Sequence, residues 1–221
     1  MTEIEAKDKI HLHEIFSSIQ GEGFMSGTPM TFIRLWGCNL SCAFCDTPQT
    51  AGDCHETTVA AVSAAAYALG NEWVCITGGE PLLQKNVSKL INLLKKENYK
   101  IFIETNGSMD MNLLPRYGVI RIMDVKCPDS GMNREMDWKN LERLRGDDEV
   151  KFVMSSRKDY EWAKRIVKKH NLPDRTKVLF GSAYGKLKPK SLAEWILKDK
   201  LNVRLQLQLH RIIWPDKTRG V

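Results

Sequence analysis

Apolar and polar positions run along this chain in blocks whose repeat switches between two residues and about 3.6. Residues 30–36 (MTFIRLW) read as a strand ending at Gly37, 73–77 (WVCIT) as a buried strand ending in Gly78–Gly79, and 100–104 (KIFIE) as a strand ending in Asn106–Gly107. Residues 119–125, 149–154 (EVKFVM) and 177–180 continue the strand series, and 203–209 (VRLQLQL) closes it with strict alternation. Between them lie helical stretches at 58–69, 86–97, 138–144, 159–169 and 192–197. The first has Thr57 or Thr58 as its cap; the second places Val87, Leu90, Ile91 and Leu94 on one face. This order predicts an α/β fold with a parallel sheet covered by helices, for which a partial barrel, a full barrel and an open doubly wound sheet all serve. In each, function gathers at the C-terminal ends of the strands. The segments 37–45, 78–80, 105–107 and 124–128 fall there and are expected to converge on one site.

Composition narrows the class. At 221 residues and 43% hydrophobic content the chain is expected to form one domain, residues 1–221, with a sizeable core. The apolar run 60–69 is too short to span a bilayer, and residues 1–10 alternate acids and lysines without the apolar stretch of a secretory signal. A soluble, cytoplasmic protein with no membrane partner is the expectation. The net charge of +6 includes Lys164, Arg165, Lys168 and Lys169 on one helix. No nucleic-acid module accompanies them, so they read as a solvated basic face, with no direct nucleic-acid binding expected. A small anionic substrate or cofactor also suits this balance.

Six cysteines in such a chain do not imply a disulfide framework, because cytosolic thiols stay reduced. Cys54, Cys75 and Cys127 are scattered, whereas Cys38, Cys42 and Cys45 form C-x3-C-x2-C directly after a strand. Three thiolates on one loop can wrap a metal or cluster. An iron–sulfur cluster ordinarily takes four cysteines, so three leave one iron open. A zinc site with His55 as fourth ligand competes. Spacing alone leaves both open.

The cysteine loop with Phe44 between its last two ligands, followed by Thr77-Gly78-Gly79-Glu80-Pro81 at the end of a later strand, resembles the radical S-adenosylmethionine (SAM) enzymes. By itself a glycine pair after a strand is a turn; in order behind the cysteine triplet it carries weight. More specifically, residues 12–23 (LHEIFSSIQGEG), 32–38 (FIRLWGC), Asp46-Thr47, 103–107 (IETNG), 124–128 (DVKCP) and the tail from Gln206 to His210 resemble the 7-carboxy-7-deazaguanine synthases, a family within that superfamily.

The resemblance implies a partial (β/α) TIM-like barrel with reduced helical decoration. It implies a [4Fe–4S] cluster on Cys38, Cys42 and Cys45, S-adenosyl-L-methionine against Phe44, Cys45, Asp46, Gly79, Glu80, Lys126, Cys127 and Pro128, and Mg2+ on Thr47. The substrate, a carboxypterin, would meet Ile19, Gln20, Gly21, Glu22, Arg34, Thr77, His210 and the C-terminal Val221. No catalytic residue beyond cofactor and cluster is implied. The reaction would be a radical ring contraction of 6-carboxy-5,6,7,8-tetrahydropterin to 7-carboxy-7-deazaguanine with loss of ammonia, in 7-deazapurine (queuosine) biosynthesis. A deoxyadenosyl radical would abstract hydrogen from C6. An electron donor of the flavodoxin kind and a homodimer are implied as well.

The residues suit these roles chemically. Arg34 offers a planar fork for a carboxylate, and an arginine inside a buried strand needs a partner, although a surface ion pair would also account for it. Glu22 can pair with an amino edge, Glu80 with an ammonium, and Thr47 offers a hard oxygen to Mg2+, where helix capping is the plainer role. Cys127 also reads as an ordinary buried cysteine and His210 as a structural histidine. The rival readings are a glycyl-radical activase, a zinc-binding structural module, and a tRNA-binding protein suggested by the pI of about 9.0.

Overall fold

The structure is a computed structural model that describes residues 8–46, 54–217 and 219–221. Its strands are β1 (Lys9–Ile19), β2 (Pro29–Leu35), β3 (His55–Thr58), β4 (Trp73–Gly78), β5 (Lys100–Thr105), β6 (Ile120–Lys126), β7 (Glu149–Met154), β8 (Lys177–Ser182) and β9 (Arg204–Gln206). Its α-helices are α1 (Val59–Leu69), α2 (Val87–Lys96), α3 (Asn140–Arg143), α4 (Arg157–Lys169), α5 (Pro189–Asp199) and α6 (Leu209–Ile213). All strands join one sheet in the order β3-β1-β2-β4-β5-β6-β7-β8-β9. From β2 to β9 every neighbouring pair is parallel, while β1 and β3 run antiparallel at one edge. Helices serve most crossovers, but β5 reaches β6 through a single 3-10 turn, Met111–Leu113, which is the reduced decoration expected.

Strand alternation sorts the residues into two layers. Ile33, Leu35, Val74, Ile76, Ile101, Ile103, Met123, Val125, Val150 and Phe152 belong to the main core, together with buried positions of the helices. On α2 these are Val87, Leu90, Ile91 and Leu94, as the sequence period predicts. The alternate positions Met30, Phe32, Cys75, Phe102 and Ile122 form a second, smaller apolar cluster. Two residues further along each strand the same face turns polar, giving Arg34, Thr77, Glu104 and Asp124. The inner face of the sheet therefore has an apolar floor with a polar layer above it, at the strands' C-terminal ends.

The edges β3 and β9 do not pair, and the segment after β1 spans the gap instead. Leu209 N donates to Gly21 O at 3.0 Å, and Gly23 N donates to the Gln206 side-chain oxygen at 3.0 Å. Phe24 N donates to both Glu149 carboxylate oxygens at 3.3 and 3.2 Å.

Three expectations change. β1 and β3 have no counterpart in the sequence reading; β1 escapes because an irregularity between Leu12 and Glu14 breaks its alternation. The helix expected over 138–144 shrinks to α3. The strand expected over 203–209 stops at Gln206, and its last residues begin α6, so His210 sits in a helical turn.

Candidate active site

A cavity of about 980 Å³ opens over the polar layer, walled by the C-terminal ends of β2, β4, β5, β6 and β7, the cysteine loop and α6. Cys38, Cys42 and Cys45 all line it, and none of them is in a disulfide. The loop is pinned from behind. Ala43 N donates to Ser130 O at 3.0 Å, Ser41 N reaches the Met132 sulfur at 3.5 Å, and Cys45 N closes a turn on Cys42 O at 3.2 Å. Burial pushes the Cys42 thiol up; Lys126 opposes this, while Asp124, Cys45 and Cys38 add to it. Thiols crowded in this way ionise readily once a cationic metal centre takes them. Three sulfurs facing one roomy cavity thus fit an iron–sulfur cluster with space beside it for S-adenosylmethionine. His55 lies exposed in β3, opposite Leu12, and is not part of the cavity wall, so the Cys3His zinc set does not assemble.

Phe44, Asp46, Gly79, Lys126 and Cys127 line the same cavity, whereas Glu80 and Pro128 do not. Glu80 is fully buried and accepts from Leu82 N at 3.0 Å, Asn106 N at 2.7 Å and Thr105 Oγ1 at 2.8 Å. Its carboxylate, pushed up by burial and held down by those bonds, ties the end of β4 to the end of β5. In this placement the carboxylate braces the cavity wall from behind. Gly79 is glycine for a local reason as well, because a Cβ there would stand 2.0 Å from Gly37 O. Lys126 bonds Asp124 at 3.0 Å; Cys127 is fully buried with its thiol pushed well up, first by burial.

The same cavity is lined by every residue expected to meet the substrate: Ile19, Gln20, Gly21, Glu22, Arg34, Thr77, His210 and Val221. Arg34 has the partner its burial demands, since Nε donates to Glu14 at 2.7 Å. Gly220 N donates to the other oxygen of that carboxylate at 3.3 Å, which brings the C-terminus to the site. Gly21 lies so close to α6 that a Cβ would meet His210 Nδ1 at 2.2 Å. Burial lowers the His210 pKa, with Glu22 and Asp46 opposing. Glu22, Asp46 and His210 each bring one ligand atom within 4.8 Å of the others. Thr47, the expected Mg2+ ligand, lies outside the described residues.

Sequence reasoning missed the charged floor. Lys151, in the middle of β7, contacts Glu22 at 2.9 Å, Glu104 at 3.7 Å and Asp124 at 3.9 Å. Gln206 and Gln208 add donors to Glu22 at 2.8 and 2.9 Å. Burial alone would raise the Glu22 pKa, but Lys151, the Gln208 amide and the nearby His210 overcome it and bring it down to about 2. The signal was available: Glu104, Asp124 and Lys151 are charged residues inside strands, at positions whose alternation points them to one face.

A family model described as the radical SAM superfamily matches residues 35–181, and the chain belongs to that superfamily. A 7-carboxy-7-deazaguanine synthase of Koribacter versatilis is 38% identical, covering 96% of this chain and 100% of that protein; one of Methanospirillum hungatei is 42% identical, covering 90% and 83%. The chain is therefore a member of the 7-carboxy-7-deazaguanine synthase family. The crystal structure of QueE from Escherichia coli shares the fold, with a TM-score of 0.75 at 23% identity over 90% of this chain and 94% of that one. The partial barrel expected from the sequence is the fold observed, and the activase and zinc-module readings are not favoured by these relatives. Among the described residues no helix is long and apolar enough to cross a membrane.

Proposed function

We propose that this chain converts 6-carboxy-5,6,7,8-tetrahydropterin to 7-carboxy-7-deazaguanine and ammonia, a carbon–nitrogen lyase reaction in 7-deazapurine (queuosine) biosynthesis. The observation that carries the proposal is the shared cavity: the three loop cysteines and the Gln20–Glu22, Arg34 and His210 wall face the same space. When bound, the cluster and S-adenosylmethionine supply hydrogen-atom abstraction by one-electron chemistry.

The chain's own groups bind and orient. Arg34, braced by Glu14, presents its guanidinium to a carboxylate. Glu22, held ionised, accepts from the amino edge of a pterin, and the Gln20–Gly21 backbone lies beside it. Thr77 is buried and oriented by its bond to Glu104 at 3.3 Å. Gly79, Phe44 and Lys126 form the wall for S-adenosylmethionine beside the cysteines. On this reading Thr47 holds Mg2+, residues 1–221 act as one radical SAM domain, the enzyme works as a cytoplasmic homodimer, and a flavodoxin-like donor reduces it.

Anaerobic turnover of the carboxytetrahydropterin by cluster-loaded protein, with S-adenosylmethionine and a reductant, tests the reaction. A fully loaded enzyme that forms no deazaguanine product contradicts it. Cys42→Ala should abolish turnover and lower bound iron while leaving pterin affinity nearly unchanged; retained turnover would remove Cys42 from the ligand set.

A further inference from the structure

We infer that Lys151 is a positioning residue of this site: from the middle of β7 it gathers Glu22, Glu104 and Asp124 into a preformed acceptor set on the cavity floor for the N–H-rich edge of the substrate. The inference rests on the pterin reading above and adds to it the residue that organises the recognition.

Three carboxylates arrive from separate elements, Glu22 from the turn after β1, Glu104 from β5 and Asp124 from β6. Unpaired, they would repel one another in a partly desolvated space. Lys151 is only 7% exposed, lines the cavity and, among the described residues, is the ammonium that reaches all three, with Lys126 also holding Asp124 at 3.0 Å. Its register partner on β6 is Asp124, so the strand pairing itself sets its height.

The set is incompletely satisfied. Asp124 Oδ1 is buried with no hydrogen-bond partner, and the contacts from Lys151 to Glu104 and Asp124 are long. An ion pair built only for stability would use those oxygens up. Carboxylates with acceptor capacity to spare on residues that line a cavity suit a flat heterocycle that presents several N–H donors along one side, and a ring bearing an amino group next to a ring N–H is such a ligand. An ammonium fixed below the carboxylates holds their geometry before the ligand arrives, so binding involves little rearrangement.

The test is anaerobic steady-state kinetics of the cluster-loaded enzyme and of Lys151→Met and Lys151→Arg, with iron content, thermal melting and reductive S-adenosylmethionine cleavage without pterin measured alongside. Lys151→Met should raise KM for the carboxypterin between about 10- and 100-fold, the range for losing a charged hydrogen-bond partner. Its kcat at saturation, iron content and pterin-free cleavage should stay near wild type. Lys151→Arg, which keeps the charge, should recover most of the KM. If wild type turns the pterin over and Lys151→Met keeps its KM, or loses kcat, cleavage and melting temperature together, the inference falls while the reaction stands. Should Lys151→Met fail to fold, the Arg variant decides: a KM within about fivefold of wild type supports the role, and a KM more than about tenfold higher overturns it. If loaded wild type does not convert the pterin, the reaction assignment fails, and this inference with it.

Discussion

Asp148 and Lys151 lie three residues apart in the chain, and each is the centre of a buried charged group, yet the two groups are finished differently. Asp148, fully buried, accepts from Arg121 N, Nε and Nη2 at 3.0, 3.0 and 2.5 Å and from Arg145 N, Nε and Nη2 at 2.8, 3.1 and 2.9 Å. The arginines continue outward, Arg121 to Arg143 O and Arg145 to Val119 O. Both carboxylate oxygens are used, and the knot joins the start of β6 to the turn before β7. Lys151 instead faces three carboxylates at unequal distances and leaves Asp124 Oδ1 without a partner. A closed network stabilises; a network with acceptors to spare is prepared for something that is not protein. The turn that leads into β7 therefore carries a structural anchor, and the middle of the strand a binding floor.

The largest effect should come from opening the closed network. Asp148→Ala leaves Arg121, 5% exposed, as an uncompensated buried charge, at a cost of roughly 3–5 kcal/mol. For a chain of this length that is a fall in Tm of about 10 °C. Below the new Tm the KM for the pterin should be unchanged. An altered KM with unaltered melting would reverse the roles assigned to the two centres.

Glu104→Gln probes the open network with the same volume and one charge fewer. Here the expected loss is in kcat/KM, about 10- to 100-fold, because an acceptor for the substrate and a partner of Lys151 and Thr77 both change. Unfolding free energy should move by less than about 1 kcal/mol, since Glu22 still holds Lys151 at 2.9 Å. Anaerobic urea unfolding beside steady-state kinetics separates the two quantities. A stability loss matching that of Asp148→Ala would make the floor a second structural anchor.

The asymmetry between these centres also explains what the sequence disclosed. The cysteine loop and the Thr77–Gly79 turn were legible because their chemistry is local: ligands and glycines lie within a few residues of one another. Most strands of the barrel were legible for the same reason, through short apolar runs of five or six residues closed by glycine or polar residues. The Lys151 floor was not, because its members are contributed by β1's following turn, β5, β6 and β7 and meet only through register and curvature. Glu80 has a non-local side as well. Its place beside Gly79 put it in the cofactor wall by sequence, but the chain turns there and its carboxylate points into the bonds of Thr105 and Asn106. His210 was singled out by position in the chain and does line the cavity, although the strand expected to lead to it had already become α6.

The smallest effect separates the two centres by pH. Glu149 lies between Asp148 and Lys151, and burial pushes its carboxyl up, with the Phe24 amide, Lys177 and Lys151 opposing and Glu104 adding. Asp148 is also pushed up by burial, but Arg145 and Arg121 overcome this and hold it below its usual 3.8. The signs are opposite. The folded chain keeps a proton on Glu149 just above 4.5, where the unfolded chain has lost it, so this group's contribution weakens as pH rises through that window. The Asp148 contribution is fully present above 3.8 and is lost as pH falls below it. Glu149→Gln keeps an acceptor for Phe24 N while removing the charge, and should stabilise the protein near pH 7 by about 0.5 kcal/mol, the low end for a favourable single change. The gain should shrink as pH falls toward and below 4.5, where the folded chain increasingly keeps the proton on wild-type Glu149, and the acid limb below 3.8 should keep its slope because Asp148 is untouched. Thermal melts of both proteins between about pH 3 and pH 8 measure this; a gain that persists unchanged through pH 4.5 would show that the charge of Glu149 was never its source.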